Sequence, residues 1–224
     1  MLPYILLSLA AMVSPDYELT LPRNEWKALP QTQFRQATDG AQQPQRTLVR
    51  LMQDETYLYV AFTCKDNPYW KQNSYKAHNS DMWNQEVFEV FIAEGTDTPS
   101  RYLEIEINPN NALFVGWIDN PSKLGDANRL ALVPYEEAQI QHAITQTTAD
   151  SWSGSLRIPL SLIGNGHTSY RLNFYRIVLL EPQDSPDWKC SVQNASFQCW
   201  SPSMSGDAPR FHRPDAFGLL HVSP

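Results

Sequence analysis

Apolar and polar positions alternate with a period of two along most of this chain, the pattern of half-buried β-strands. Residues 47–52 and 56–63 predict a hairpin around Gln53-Asp54-Glu55. Residues 86–93 and 101–108 predict a second pair, the latter alternating strictly as Tyr102-Leu103-Glu104-Ile105-Glu106-Ile107. Asn108-Pro109-Asn110-Asn111 is a turn leading into a strand over 112–118. Alternation returns over 138–147 (Ile140, His142, Ile144) and over 151–158, after which Pro159-Leu160-Ser161-Leu162-Ile163 fits one helical turn. The longest run, 170–180, predicts a central strand, and 217–222 closes the chain. Short strands separated by Asn, Asp, Pro and Gly turns predict an all-β fold, an antiparallel two-sheet β-sandwich of jelly-roll type with long loops. No repeat or low-complexity linker interrupts the pattern, so residues 1–224 are expected to form a single domain.

Two connections, 66–81 and 201–214, are longer than hairpins require. Tyr69, Trp70, Tyr75 and Trp83 lie on or beside the first, Trp200 and Phe211 on or beside the second, all expected to be exposed. Trp117 and Trp152 sit inside alternating strands and are expected in the core. The stretch Asp81-Met82-Trp83-Asn84-Gln85-Glu86-Val87-Phe88-Glu89-Val90-Phe91-Ile92 runs from a polar loop into an apolar strand in which Glu89 is the lone acid. A carboxylate buried there without a partner costs several kcal/mol, so it must reach solvent, a cation or a ligand. Trp83 presents a flat apolar plate just before that strand. A plate beside a carboxylate suits a sugar, which has an apolar C–H face and a rim of hydroxyls.

Composition narrows this picture. Seven Trp, ten Tyr and nine Phe, with 17 Pro against 9 Gly, favour strands and rigid loops over helices. Apolar residues at 42% and charged residues at 18% suffice for a substantial core. A net charge of −7 without a basic cluster argues against a nucleic-acid partner. Three cysteines cannot all pair; Cys190 and Cys199 fit either a disulfide across a local hairpin or two free thiols, and Cys64 is expected to be a buried thiol. No Cys/His spacing suggests zinc. Residues 2–13 are apolar and run into small residues (Ala10, Ala11, Ser14), with no Lys or Arg before them. Residues 1–25 therefore admit two readings, an atypical secretory signal or an N-terminal strand. The first goes with a secreted or periplasmic protein; the second leaves the cytoplasm open. The apolar run is too short to span a bilayer, and no other membrane segment is visible. The oligomeric state is not legible.

One family shares these features in order. Asp54-Glu55-Thr56-Tyr57-Leu58-Tyr59-Val60-Ala61-Phe62, Asp66, Trp83, Val87-Phe88-Glu89-Val90-Phe91-Ile92, Tyr102, Glu104-Ile105-Glu106-Ile107-Asn108 and a terminal Pro214-Asp215-Ala216-Phe217-Gly218-Leu219 together resemble the family 9 carbohydrate-binding modules and the related DOMON sandwiches. The resemblance covers roughly residues 26–222. It implies a non-catalytic β-sandwich that grips an oligo- or polysaccharide end between two aromatic side chains. Trp83 matches the first plate, and Glu89 matches the acid that binds sugar hydroxyls. The second plate is a Trp three residues before the terminal P-x-x-F-G, where this chain has Phe211. A basic binding position on the next strand is matched here by Glu104 and Glu106. The candidate carbohydrate-binding set is Trp83, Glu89, Glu106, Arg210 and Phe211; Arg210 and Arg213 are hydroxyl-donor candidates by their own position, flanking Phe211. Family members also carry structural calcium; no dense Asp/Asn loop spells such a site here, and Asp54, Asp66 and Asp81 are the candidates.

Other functions compete with this reading. Glu89 with Glu104 or Glu106 could supply the two carboxylates of a glycoside hydrolase. No G-x-S-x-G, phosphate loop or zinc signature supports a different enzyme. DOMON-type electron transfer would need haem held between Met and His, for which Met82, Met204 and His212 are available. A structural sandwich without a ligand is the remaining alternative.

Overall fold

The computed structural model describes residues 14–164 and 166–223. The apolar segment 2–13 lies outside the described residues. Fourteen strands follow in chain order: β1 (Glu18–Pro22), β2 (Lys27–Ala28), β3 (Arg35–Gln36), β4 (Thr47–Gln53), β5 (Tyr57–Cys64), β6 (Val87–Glu94), β7 (Arg101–Ile107), β8 (Leu113–Asp119), β9 (Arg129–Leu132), β10 (Gln141–Thr147), β11 (Trp152–Pro159), β12 (Ser169–Leu179), β13 (Ala195–Cys199) and β14 (Gly218–Ser223). Two single-turn helices, α1 (Tyr135–Ala138) and α2 (Leu160–Ile163), interrupt them.

The strands form two sheets. The larger has nine strands, with main order β1-β14-β12-β6-β7-β8-β9 and β13 and β3 attached beside β12; the smaller runs β10-β11-β5-β4-β2. The β12 strand is long because it serves both β14, through residues 169–172, and β13, through 175–179, along one edge. All pairings are antiparallel except β1 with β14, which is parallel and departs from the sequence expectation. The smaller sheet alternates buried and open positions along β4 and β5, as a sheet with one wet face must. The larger sheet is buried on both faces over β6, β7 and most of β12. Its inner face sends Phe88, Val90, Ile92, Leu103, Ile105 and Phe174 against Val60, Phe62, Trp152 and Leu156 of the smaller sheet. Its outer face is covered by loops.

Glu86, fully buried, ties the layers together. Its carboxylate accepts from Arg176 Nη2 of β12 at 3.0 Å and from Trp152 Nε1 of β11 at 3.0 Å, and also from Asn67 Nδ2. Arg176 Nη1 donates to the carbonyls of Arg46 and Lys65, so the ion pair clamps both sheets and a connection between strands. Asn73 Nδ2 caps the Glu86 carbonyl at 2.8 Å. Thus loop 66–81 is stitched down: Trp70 packs on the main core, and Tyr75 is half-buried.

Several expectations need correcting. Trp200 is fully buried, edge-on to Tyr17 at 5.6 Å and to Phe174 at 5.9 Å. Gly218 permits this, since a Cβ there would lie 2.4 Å from the Trp200 ring. Trp117 is only half-buried, lying under the Arg101 guanidinium at 4.9 Å, whereas Trp152 is core as expected. Cys64, Cys190 and Cys199 are all free thiols, so no disulfide spans 190–199. Burial pushes the Cys64 and Cys199 thiols up to about 12. The β2, β3 and β9 strands are too short or too open to leave a periodic signature.

Breaking the ion pair should be costly, because it leaves a guanidinium buried and uncompensated. Glu86→Gln is expected to destabilise the protein by about 3 kcal/mol or more, a fall in Tm of about 6–12 °C for a domain of this size. Thermal unfolding followed by circular dichroism measures this.

Candidate functional site

Period-two geometry places Val87, Glu89 and Phe91 of β6 on the outer face of the larger sheet, together with Tyr102, Glu104 and Glu106 of β7. Cross-strand register then sets Glu89 directly opposite Glu106, with Tyr175 of β12 on its other side. Carboxylate oxygens of Glu89, Glu104 and Glu106 lie within 4.8 Å of one another. All three residues are buried, at 2%, 7% and 0% exposure. Burial, reinforced by the neighbouring carboxylates, holds Glu89 and Glu106 well above the usual carboxylate range, and burial pushes Glu104 up to about 8. Both Glu106 oxygens lack a hydrogen-bond partner. None of the ion pairs among the described residues includes any of the three.

Over this acidic floor opens a cavity of about 550 Å³. Trp83 reaches it from a 3-10 turn, Met82–Asn84, whose first residue is a fully buried anchor. That turn is fastened to the loop after β12: Cys190 N donates to the Asn84 carbonyl at 2.7 Å, and the Cys190 thiol to the Trp83 carbonyl at 3.3 Å. Gln85 reinforces the link, donating to the carbonyls of Pro186 and Trp188 while accepting from Ser74 N. The indole meets Phe114 edge-on at 5.2 Å and remains half-buried, open to the cavity.

The opposite wall comes from loop 201–214. Phe211 stacks on Tyr175 at 4.4 Å, and the Tyr175 hydroxyl donates to the Phe211 carbonyl at 2.9 Å. His212 stacks on Phe91 at 5.2 Å, its Nδ1 2.8 Å from the Tyr102 hydroxyl. Gly125 (φ +75°) lets the neighbouring loop close on it, as a Cβ there would sit 2.7 Å from the His212 carbonyl. Burial lowers the imidazole to about 4. Arg210, exposed, stands at the rim.

Four of the expected residues, Trp83, Glu89, Arg210 and Phe211, therefore line one cavity, and Glu106 lies sealed beside Glu89. Arg213 is not available as a donor, being paired in a fork with Asp215 at 2.9 and 3.1 Å. The calcium candidates do not converge. Asp66 is held by Arg46 at 2.7 Å, and Asp54 accepts from Thr56 N, Tyr57 N and the Tyr59 hydroxyl. A Met–His haem pair is not assembled either: the cavity containing His212 is lined by neither Met82 nor Met204. The sequence set omitted Phe91, Phe114, Glu104 and His212. Alternation from Glu89 and Glu106 would have put the first and third on the right face; Phe114 and His212 depend on register and loop closure.

The neutral imidazole of His212 should survive acidification. From its ordinary 6.5 down to about 4 an unfolded chain would take up a proton that this buried ring refuses, so its contribution to stability falls across that window. Imidazole NMR resonances of His212 are expected to hold their neutral positions well below pH 6.5 and to move only near 4.

A sheet with an acid-floored aromatic cavity on its loop-covered face defines a ligand-binding β-sandwich. The family model "Carbohydrate family 9 binding domain-like" matches residues 22–128. An extracellular protein of Arthroderma benhamiae is 30% identical over 206 residues, covering 83% of this chain and 90% of the relative. The fold is shared with a Bacteroides uniformis protein provisionally described as carbohydrate-binding (TM-score 0.64, 15% identity, 92% of this chain and 99% of that one). It is also shared with a family 9 carbohydrate-binding module of Caldicellulosiruptor kristjanssonii, in complex with cellotriose (TM-score 0.53, 15% identity, 92% and 93%) and with glucose (0.52, 14%, 92% and 95%). The chain belongs to the carbohydrate family 9 binding domain-like family.

Proposed function

We propose that this protein binds a glycan end outside the cell, seating a terminal sugar between Trp83 and Phe211 with Glu89 and Arg210 reading its hydroxyls. The observation that carries this reading is the opening of Trp83, Glu89 and Phe211 onto one cavity, of a volume usual for small-molecule sites. A cellotriose- and glucose-bound relative of the same fold supports a sugar as the ligand class, and the extracellular Arthroderma relative supports the location. Among the described residues no helix is long and apolar enough to cross a membrane. The family is a binding one, and the reading is of binding without catalysis.

Laying a sugar face on the indole removes about 100 Å² of apolar surface, worth about 2.5 kcal/mol. Phe211 offers a smaller face than a second indole would. After ordering costs, affinity falls in the micromolar to millimolar range. Charge-assisted hydrogen bonds to the hydroxyl rim set the preference among sugars. The asymmetric pair of plates and the recessed acids favour a chain end over a chain middle.

Isothermal titration against cello-, xylo-, manno- and galacto-oligosaccharides tests this. At least one series should give saturable heat, and Trp83→Ala should lose about 2.5 kcal/mol, roughly sixtyfold in Kd, while retaining β-sheet circular dichroism. No heat with any sugar, at millimolar protein and in calcium as well as chelator, would defeat the proposal.

A further inference from the structure

The acidic floor is more than a sugar-reading carboxylate requires. Glu89, Glu104 and Glu106 gather three carboxyl groups with their oxygens within 4.8 Å of one another, and no Lys, Arg or His among the described residues pairs with them. Glu106 is 0% exposed, one of its oxygens lies in this cluster, and neither oxygen accepts a hydrogen bond from any group outside it. A carboxyl buried there cannot give up its proton at neutral pH without a positive partner at that spot. The register of β6 and β7 fixes this cluster on two central strands, where backbone movement cannot relieve it.

We propose that Glu89, Glu104 and Glu106 hold one divalent cation, calcium, at the floor of the cavity. Calcium binds oxygen at 2.3–2.6 Å, so two oxygens on one ion lie at most about 4.6–5.2 Å apart, which accommodates the spacing here. Magnesium, at 2.0–2.1 Å in strict octahedral geometry, gives up its waters reluctantly, which a floor of three buried carboxyls disfavours. The all-oxygen set carries no nitrogen or sulfur to favour zinc or copper. Glu89 and Glu104 both face the cavity, so the protein fills one side of the ion and leaves the other to water or ligand.

This placement deepens the glycan reading and rests on it in its second half. Two adjacent hydroxyls of a sugar lying on Trp83 could take the open coordination positions, and the ion would supply the positive charge that Glu104 and Glu106 cannot. The floor would then select sugars with a vicinal diol directed inward.

The two halves are tested separately on the full chain. Without sugar, calcium chloride is titrated into chelator-stripped protein by calorimetry, with Tm recorded in parallel. One equivalent should bind with a Kd no weaker than the millimolar range of extracellular calcium modules, and Tm should rise. Glu106→Gln should weaken calcium binding by about tenfold or more yet remain folded in chelator, since the amide matches the uncharged carboxyl in size; the exposed Glu136→Gln should bind as the parent does. Absence of calcium binding up to about 10 mM, or undiminished binding by a folded Glu106→Gln, overturns the metal site. Oligosaccharide titrations are then run with calcium and with chelator. Sugar heat seen only with calcium supports the coupling; equal heat in both overturns the coupling but leaves the glycan reading standing. Calcium binding with no sugar heat leaves the metal site standing and sinks the glycan reading.

Discussion

The entry of the chain into β6, the central strand under the cavity, is held by the buried Glu86–Arg176 ion pair. Glu86 directly precedes β6, and its carboxylate joins the larger sheet through Arg176 to the smaller sheet through Trp152. A charge pair wholly out of water is tolerable only when most of its remaining hydrogen-bonding positions are filled; here Asn67, Trp152 and two backbone carbonyls fill all but the Arg176 Nε–H. The directional demands of that network fix where the chain enters β6. The turn carrying Trp83 lies only a few residues upstream, so the indole inherits its position from the clamp.

From that fixed entry, strand alternation does the rest. One face of β6 and β7 fills the space between the sheets with Phe88, Val90, Leu103 and Ile105; the other turns Glu89, Phe91, Glu104 and Glu106 outward. An outward face normally meets water, but here the loops around residues 190 and 211 cover it and strip water from the carboxyls. The same closure that desolvates the acids also builds the walls: Phe211 on Tyr175 and His212 on Phe91. Aromatic stacking holds these loops down, and the trapped carboxyls, stripped of water, are held well above the usual carboxylate range.

Much of this was legible beforehand for a simple reason. A strand half-buried in a two-layer fold must alternate, and β4, β5 and β11 do so plainly enough to give their bounds to within a residue or two; β7 alternates in residue type although both its faces are buried. The site residues Trp83 and Glu89 stood out because each breaks the local pattern: an indole at the end of a polar loop, an acid inside an apolar run. Trp200 misled because it too sits at a strand-to-loop boundary, yet Gly218 leaves a slot that draws it fully inside. Arg213 misled because a carboxylate two residues away, Asp215, claims its guanidinium, a local pairing that type and position alone do not reveal.

The amino-acid sequence by itself determined the strands, the sandwich class and the loop–strand junction where an aromatic plate meets an acid, because those follow from short-range periodicity and from the cost of placing a charge among apolar neighbours. Tertiary structure alone decided that Glu106 faces Glu89, that Glu104 joins them, and that a loop more than a hundred residues away closes over all three. Register between strands and the docking of distant loops are set by long-range packing, which leaves no trace in the local order of residues.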